Sequence, residues 1–396
     1  MCQSQEVGIT LATGNLVMKS SRGSQIGSAV RLGIVPLCDC APVAVAQEMG
    51  IFRRRGVRVK ISKELGWASV RDKIFYGELD AAQSIVGIAM ALGLGIEKLQ
   101  CEVVVPLILS LHGNAITLSN ELDPRKIGDG AGLKDFLEHS WKRQRPLTLA
   151  VPHRLSSHRI LLNEWLSRNG LFADERIEVV FLPPRLMSGH LEARLIDGYC
   201  VGEPWNSKSI LKGIGWSPAT SGDLSHGHPE KALVVCGRFL DEHPEKIRRL
   251  GASLIEACAL CEDPDFSNEL ISILSRKEYV GVDAAILQES FSWSFRVGSK
   301  RIRKEPFYLF GGDAVNRPTS DKASWYISGL RKVGLLNQVE VEKVISMHRE
   351  DLYQEALQEC GTAWVTFMGQ MKYLPAEGGT RSRGWHSTRS CPTTHQ

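Results

Sequence analysis

Residues 198–206 form an apolar segment that runs into a glycine, a carboxylate, a proline and a tryptophan, in the order GYCVGEPWN. The apolar run from Ile196 to Val201 predicts a buried strand that ends at Gly202. A glycine turn at the end of a strand exposes backbone N–H groups, and such groups bind anions. Lys231, in the later segment HPEK (228–231), adds a positive charge. These features predict a pocket for a small anion, without an evident nucleophile or general base.

The size and composition of the chain indicate a globular protein of more than one domain. A chain of 396 residues is too long for a single hydrophobic core and is typical of two or three domains. Its hydrophobic content of 43% is ordinary for a globular protein. The net charge of +4 helps to attract small anions but is too small to indicate direct nucleic-acid binding. No run of residues approaches the roughly 20 apolar positions of a membrane span.

The N-terminal residues 1–28 are polar and rich in serine and glycine. They lack the apolar segment of a secretion signal, and the ten cysteines of the chain are scattered without a disulfide framework. We therefore expect a cytoplasmic protein. The alternative is a periplasmic or membrane-associated protein, if the true N-terminus carries an export signal.

Strands and helices alternate along most of the chain. Strands are predicted at Val30 to Val35, Glu102 to Leu111, Pro146 to Val151 and Ile177 to Leu182, with helices between them and a long amphipathic helix from Pro244. Such alternation is typical of open, largely parallel sheets, whose ligands bind at loops beyond the carboxyl ends of strands. The predicted fold class is α/β, with two lobes around a cleft.

Several motifs resemble those of the nitrate- and bicarbonate-binding proteins of ABC transporters and their cytoplasmic nitrate-sensing relatives. The similarity runs from about Arg31 to Ala356. Its landmarks are LGIVPLCDCAP (32–42), GWASVRD (66–72), GEPWN (202–206), HPEK (228–231) and DLY (351–353). The resemblance implies the type II periplasmic-binding-protein fold, in which two α/β lobes joined by a hinge close on a ligand.

The same resemblance implies boundaries for the lobes. Residues 29–120 and 228–358 would form a discontinuous lobe 1, and residues 121–227 would form lobe 2. Residues 1–28 would be a flexible N-terminal segment. Residues 359–396, which contain much glycine, serine, threonine and arginine beyond Pro375, would be a disordered tail.

Five ligand contacts are carried over from the family, position by position. Trp67 would form a wall of the pocket and offer its indole N–H, Asn114 would offer its amide, and His158 a ring N–H. Gly202 would donate a backbone N–H, and Lys231 would supply the only formal positive charge. The nitrate-binding members typically have glutamine where this chain has Asn114, which is one methylene shorter. Lys231 favours nitrate, because the bicarbonate-binding members carry an acidic residue in this region that recruits calcium.

Other conspicuous residues are expected to be structural. Glu203 and Trp205 would hold the glycine turn, and Cys38 and Cys40 would be free thiols beside the cleft. Each of these residue types is more often part of a packed or solvated surface than of a ligand site.

Metal and redox sites are not expected. His226 and His228 have a spacing seen among metal ligands, but no further set of ligands is evident. Cys258 and Cys261 have CxxC spacing within an amphipathic helix, where core packing is the favoured interpretation. The sequence therefore predicts no metal, no cofactor and no catalytic residues.

Two functions remain open, and an enzyme is a third, less favoured class. The first is a cytoplasmic nitrate or nitrite sensor that closes on its ligand and releases an antiterminator regulator protein. The alternative is the substrate-binding component of a nitrate or bicarbonate ABC transporter, with a permease as its partner. An enzyme of the thiamine-precursor type would need a reactive cysteine or histidine set that the sequence does not supply. For either binding function we expect one ion per chain, and we expect Lys231→Ala to abolish binding while leaving the fold intact.

Overall fold

The computed structural model describes residues 9–12, 15–18, 28–141, 145–292, 294–297, 300–303, 307–336, 341–361 and 364. Most of the predicted flexible segment 1–28 and of the predicted tail 359–396 therefore lies outside the described residues. No helix within the described ranges is long and apolar enough to cross a membrane.

Fifteen strands are formed within these ranges. They are β1 (Ile9–Ala12), β2 (Asn15–Met18), β3 (Val30–Ile34), β4 (Val59–Lys63), β5 (Ala81–Ile85), β6 (Val103–His112), β7 (Asn114–Ser119), β8 (Leu147–Val151), β9 (Ile177–Phe181), β10 (Gly198–Gly202), β11 (Gly215–Thr220), β12 (Pro229–Cys236), β13 (Ser294–Val297), β14 (Lys300–Arg303) and β15 (Tyr308–Leu309). The strand predicted at 196–201 is present as β10, which begins two residues later than predicted, at Gly198.

Eighteen α-helices are described in the same ranges, together with short 3-10 turns at Cys38–Cys40 and Pro264–Phe266. The helices are α1 (Ala41–Glu48), α2 (Ile51–Arg54), α3 (Trp67–Phe75), α4 (Val86–Leu94), α5 (Pro124–Ile127), α6 (Leu133–His139), α7 (Ser157–Arg168), α8 (Pro184–Glu192), α9 (Trp205–Leu211), α10 (Ser221–Leu224), α11 (Gly237–Glu242), α12 (Pro244–Cys261), α13 (Ser267–Ser275), α14 (Ala284–Ser290), α15 (Asp313–Asn316), α16 (Ser320–Lys332), α17 (Val341–Met347) and α18 (Glu350–Cys360). The long amphipathic helix predicted from Pro244 is confirmed as α12.

Two mixed sheets organise the molecule. The six-stranded sheet has the order β15-β6-β12-β5-β3-β4, and the five-stranded sheet has the order β11-β7-β10-β8-β9. Strands β3, β4 and β5 are parallel, as are β8, β9 and β10. Strands β12 and β7 are antiparallel to their neighbours.

The expectation of largely parallel sheets is therefore wrong in part. The chain crosses from one sheet to the other between β6 and β7 and returns between β11 and β12, and each crossing leaves an antiparallel strand inside a sheet. Antiparallel pairing needs no crossover helix, so strand–helix alternation in the sequence does not reveal it.

The two crossings lie side by side. Gly113 alone connects β6 to β7 with φ +88°, and a Cβ there would lie 1.9 Å from the ring of Tyr308, so only glycine fits. In the return crossing, the backbone N–H of Gly227 donates to Nε2 of His112 at 2.6 Å. The N–H of His112 donates to the carbonyl oxygen of His228 at 3.3 Å. Two short crossings bonded to each other are suited to act as a hinge between the sheets.

The hydrophobic core follows the two sheets. One cluster surrounds the six-stranded sheet and includes Cys258, whose thiol is buried as the packing interpretation predicted. A second cluster fills the five-stranded sheet and contains Trp165 and Trp216. The boundaries of the two lobes stay a prediction. The strand pairing does show that Asn114–Ser119, which we expected in lobe 1, belongs to the five-stranded sheet.

Candidate functional site

Two of the five predicted ligand residues lie in the first turns of helices. Trp67, expected in a loop, is the first residue of α3, and His158 is the second residue of α7. Both side chains are buried, with exposures of 1% and 0%. The first turn of a helix carries a partial positive charge and unpaired N–H groups, both of which favour an anion.

The other three residues lie on strands. Asn114 begins β7 and Gly202 ends β10, and the antiparallel register places these two directly opposite each other. Lys231 lies on β12, between Ile85 of β5 and Ser110 of β6. Its side chain is fully buried, which is rare for lysine unless the charge is paired.

The structure gathers the predicted residues around the ammonium group of Lys231. Its Nζ lies 2.8 Å from Oδ2 of Asp39 and 2.5 Å from Oε1 of Glu230. The same nitrogen lies 5.3 Å from the centroid of the Trp67 ring, within cation–π range. The buried lysine is thus held by two carboxylates and an aromatic face.

Glu230 connects the lysine to the remaining polar residues. Its Oε2 accepts a hydrogen bond from Nδ2 of Asn114 at 2.6 Å. Nε2 of His158 lies 3.6 Å from Oε1 of Glu230, which is too long for a hydrogen bond. Nδ1 of His228 lies 3.8 Å from Oε2. One buried carboxylate therefore faces groups from two strands, from a helix and from His228, which precedes β12.

Asp39 and Glu230 are the two site residues that sequence reasoning missed. Lys231 was treated as a single charge among neutral donors, and the structure corrects this picture. Both carboxylates lie inside the quoted motifs. The motifs therefore indicated which segments form the site, but not that these carboxylates contact Lys231. Asp39 follows β3 in the 3-10 turn, where its Oδ1 accepts from Nε2 of Gln83 at 2.7 Å.

Gly202 lies close to three neighbouring side chains. A Cβ at this position would lie 3.3 Å from Oδ1 of Asn114, 3.4 Å from Oδ2 of Asp39 and 3.5 Å from a methyl group of Leu37. Its role in the site is therefore at least steric, since any side chain would enter the space that these oxygens face.

Several buried polar atoms in this cluster have no hydrogen-bond partner among the residues that the structure describes. Among them are Nε1 of Trp67, Oδ1 of Asn114, Nε2 of His228 and both ring nitrogens of His158; Oδ2 of Asp39 has the ion pair with Lys231 but no hydrogen bond. Buried polar groups are normally paired, and leaving one unpaired costs about 1–3 kcal/mol. The indole N–H of Trp67 and one ring N–H of neutral His158 can donate to a small ligand beside Lys231, whereas Oδ1 of Asn114 can only accept a hydrogen bond.

The protonation states follow from burial and from the charges nearby. Burial raises the pKa of Asp39 to about 6, although the adjacent charge of Lys231 opposes this. Burial also opposes ionisation of Glu230, but Lys231, His158 and His228 hold its pKa at about 2. Burial lowers the pKa of His158 to about 3, so this ring is neutral at pH 7.

Lys231 stays charged under these conditions. Burial disfavours its ammonium form, but the carboxylates of Asp39 and Glu230 raise its pKa above the usual value. At neutral pH the cluster therefore contains one positive and two negative charges.

Glu203 and Trp205 follow Gly202 in the chain, and Glu203 forms hydrogen bonds to other segments of the protein. Oε2 of Glu203 accepts from the backbone N–H of Ser207 in α9 at 3.1 Å and from the hydroxyl of Ser290 in α14 at 2.9 Å. The main-chain oxygen of Glu203 accepts from the N–H of Cys38 at 2.8 Å. These bonds join segments of both sheets and fit the structural role predicted for this carboxylate.

Metal ligation was considered for the histidines of this region. Across the described portions of the chain, no three His, Cys, Asp or Glu side chains are arranged to hold a metal ion. Nδ1 of His228 contacts the carbonyl oxygen of Pro229 at 3.1 Å instead, and its ring stacks on Trp325 with centroids 5.2 Å apart.

The two mixed sheets form the periplasmic-binding-protein fold, and the predicted fold class is confirmed. The chain belongs to the NMT1-like family, which matches residues 26–275. Its fold is similar to that of the periplasmic nitrate-binding protein NrtA from Synechocystis, with a TM-score of 0.79 and 24% identity over 84% of this chain and 89% of that one.

Curated relatives agree with this family. The chain is 28% identical over 373 residues to the nitrate/nitrite binding protein NrtA of Synechococcus elongatus, covering 89% of this chain and 84% of that protein. It is 32% identical over 336 residues to the nitrate import ATP-binding protein NrtC of Synechocystis, covering 83% of this chain but 50% of that protein. The chain thus spans about half the length of NrtC. Membership of a binding-protein family agrees with the prediction that the chain is not an enzyme.

Proposed function

We propose that this protein binds one nitrate or nitrite ion in the buried cluster around Lys231. The observation that carries the proposal is the presence of unpaired ring N–H groups of Trp67 and His158 in the buried cluster that holds the ammonium group of Lys231. Nitrate is planar and monovalent, so it needs several hydrogen-bond donors and little charge compensation. Phosphate or sulfate would call for more cations than this cluster supplies.

Relatives named for nitrate support this ligand, whereas relatives of similar identity are named for bicarbonate transport. NrtA of Synechococcus is named for nitrate and nitrite, and NrtC for nitrate import. Asn114 keeps an amide in the cluster, but its Nδ2 is already bonded to Glu230, and its Oδ1 is the end that has no described partner. We therefore propose that Trp67, His158, the backbone of Gly202 and Lys231 supply the donors, and that Asn114 orients Glu230.

Calorimetry with nitrate, nitrite, bicarbonate and sulfate tests the proposed ligand directly. We expect nitrate or nitrite to bind with one ion per chain and sulfate to bind far more weakly. Binding of bicarbonate with calcium, together with no binding of nitrate, would refute the assignment.

A tryptophan variant separates ligand contact from core packing. Trp67→Phe keeps an aromatic ring but removes the indole N–H, which has no partner in the described structure. We expect nitrate to bind about 5- to 10-fold more weakly, the equivalent of roughly 1 kcal/mol for one hydrogen bond. We expect little loss of folding stability, because the donor that is removed is unsatisfied in the free protein.

Trp216→Phe is the matched control. The indole of Trp216 is also buried, but its Nε1 donates to the carbonyl oxygen of Leu122 at 2.8 Å, away from Lys231. This variant should lower the free energy of unfolding by about 1 kcal/mol and leave the dissociation constant unchanged. Chemical denaturation and calorimetry on both variants measure the two quantities, and equal effects of both variants on binding would contradict the site assignment.

Two biological roles, transport and sensing, are compatible with the binding of nitrate or nitrite. The named relatives favour a substrate-binding component that works with an ATP-driven nitrate import system, whose permease would be the partner. Sensing, with an antiterminator regulator as partner, stays a second candidate because closure on a buried ion would alter the outer surface of either kind of protein. Cell fractionation and co-purification distinguish them, since a periplasmic protein bound to a permease excludes the cytoplasmic sensor.

Closure of the two lobes is part of the proposal. The side chains of Trp67, His158 and Lys231 are at most 1% exposed, so the ion can enter only if the sheets separate. An ion that touches both sides stabilises the closed form and shifts the population toward it. We expect the radius of gyration to fall when nitrate is added, measured by small-angle X-ray scattering. An unchanged radius with full binding would show that the site fills without closure.

A further inference from the structure

The charge balance of the site conflicts with the binding of an anion. Lys231 carries the only positive charge in direct contact with the two carboxylates of Asp39 and Glu230, and all three side chains are fully buried. Adding nitrate would place three negative charges around one positive charge in a medium that screens poorly. A buried site of this kind usually resolves such a conflict by binding a proton.

We propose that one proton enters the site together with the anion and is carried by the carboxyl group of Asp39. This inference rests on the proposed function, because it describes how the same site accepts its ligand. Protonation of Asp39 leaves Lys231 and Glu230 as a balanced pair and frees one side of the ammonium group for the anion.

The contacts distinguish Asp39 from Glu230 as the proton carrier. Glu230 accepts hydrogen bonds from both Lys231 and Asn114, and two histidine rings lie within 3.8 Å of its oxygens. Asp39 has Lys231 on one oxygen and the neutral amide of Gln83 on the other. The carboxylate with fewer donors is the easier one to protonate.

The surroundings of Asp39 also supply an acceptor for the new O–H group. Oδ2 of Asp39 and the unpaired Oδ1 of Asn114 lie 3.4 and 3.3 Å from the same point, the place where a side chain of Gly202 would begin. An ionised carboxylate and an amide oxygen that face one small space repel each other. Protonation of Asp39 removes the charge behind this repulsion.

The free protein is already close to the required protonation state. Burial raises the pKa of Asp39 to about 6, whereas that of Glu230 is held at about 2. Cys38, Cys40, Tyr308 and Tyr326 interact with Asp39 and have pKa values raised by burial, so they are neutral at pH 7. The carboxyl group of Glu203, next to Gly202, has a pKa that burial raises to about 7. An anion beside Lys231 would raise the pKa of Asp39 further and bring its protonation into the physiological range.

Calorimetry in two buffers of different ionisation enthalpy measures the protons directly. For nitrate binding to the full chain at pH 7.5, we expect uptake of close to one proton per ion. The dissociation constant should increase about tenfold for each pH unit above 6, because the free carboxylate must first be protonated. Below pH 6 the constant should become independent of pH.

Asp39→Asn and His158→Gln identify the group that takes up the proton. Asp39→Asn keeps the size of the side chain and should bind nitrate without proton uptake and without the pH dependence. His158→Gln should bind more weakly but still take up a proton. Uptake that persists in Asp39→Asn and disappears in His158→Gln would overturn the assignment to Asp39.

The wild-type protein alone decides whether the coupling exists. Nitrate binding with no proton uptake and no pH dependence would overturn the inference while leaving the proposed function standing. Failure of the wild-type protein to bind nitrate or nitrite at any pH would instead refute the proposed function, and the inference with it.

Discussion

Lys231→Met is expected to weaken nitrate binding by roughly 30-fold to several thousandfold, since removing one partner of a buried charge pair costs about 2–5 kcal/mol. Methionine keeps most of the volume of the side chain, so the loss would report the charge rather than a cavity. Calorimetry measures the dissociation constant. A value within threefold of the wild type would show that the ammonium group does not contact the ion.

The same substitution is also expected to destabilise the protein, which differs from what the sequence alone predicted. Without the ammonium group, Asp39 and Glu230 would be two buried carboxylates that face each other without a cation. Breaking a buried ion pair by removing one partner typically costs about 3–5 kcal/mol of folding free energy. The expectation that Lys231→Ala leaves the fold intact was based on a lysine surrounded by neutral groups.

The loss of folding stability in Lys231→Met is expected to depend on pH. In the wild-type protein the lowered pKa of Glu230 contributes stability above the ordinary value of 4.5, and this is lost only as the pH falls toward about 2. In the variant both carboxyl groups would have raised pKa values, so stability would decrease as the pH rises through those values. Denaturation at pH 5 and pH 8 should show a larger deficit at pH 8.

Asp39→Asn combined with Lys231→Met serves as the control for this interpretation. The double variant removes one carboxylate together with the cation and should recover a large part of the lost stability at pH 8. It should not recover nitrate binding, because the charge is still missing. Recovery of binding would assign the loss in the single variant to disturbed folding rather than to the ammonium group.

Gly87→Ala is expected to weaken binding from a position outside the ligand cluster. Gly87 lies in α4, which packs on β6 and β12 of the six-stranded sheet. A Cβ there would lie 1.8 Å from the carbonyl oxygen of Leu155. Leu155 lies in the loop between β8 of the five-stranded sheet and α7. A backbone oxygen cannot move aside as the end of a flexible side chain can. An alanine at this position would therefore hold α4 and the loop that contains Leu155 apart.

The expected loss for Gly87→Ala is roughly 5- to 150-fold in the dissociation constant, from an overpacking cost of about 1–3 kcal/mol in the closed form. The radius of gyration at saturating nitrate should stay larger than that of the wild type. Calorimetry and small-angle scattering measure the two effects.

Gly189→Ala provides the matched control for this variant. Gly189 is an exposed helical glycine in α8, and no atom lies within 4 Å of the position of its Cβ. Alanine there should raise stability by about 0.5–1 kcal/mol and leave binding unchanged. Equal binding by both glycine variants would show that the contact between Gly87 and Leu155 is not needed for the bound state.

Much of the fold is predictable from local patterns in the sequence. The alternation of apolar strands with amphipathic helices predicted the α/β class, and the segment before Gly202 predicted the strand β10. The placement of Trp67 failed by one residue, because a helix that begins at a glycine has no side-chain cap to mark its start. The antiparallel strands were missed because pairing partners are far apart in the chain.

The candidate site was predictable only in part. Four residues that lie far apart in the chain were carried over from the family one position at a time, and the structure brings their side chains to one place: Trp67, Asn114, His158 and Lys231. Asn114 was expected on the first lobe, but its strand pairs with β10 in the five-stranded sheet, opposite Gly202.

The sequence by itself determined the fold class, the family resemblance and the residue types that could bind an anion, because periodicity, glycine turns and short motifs are local properties. The tertiary structure alone decided the charge of the site. All strands of the five-stranded sheet lie between Asp39 and Lys231 in the chain, yet their charged atoms lie 2.8 Å apart in the fold. Burial then sets which of these groups carries a proton, and burial depends on everything that packs around a residue, so no local pattern can reveal it.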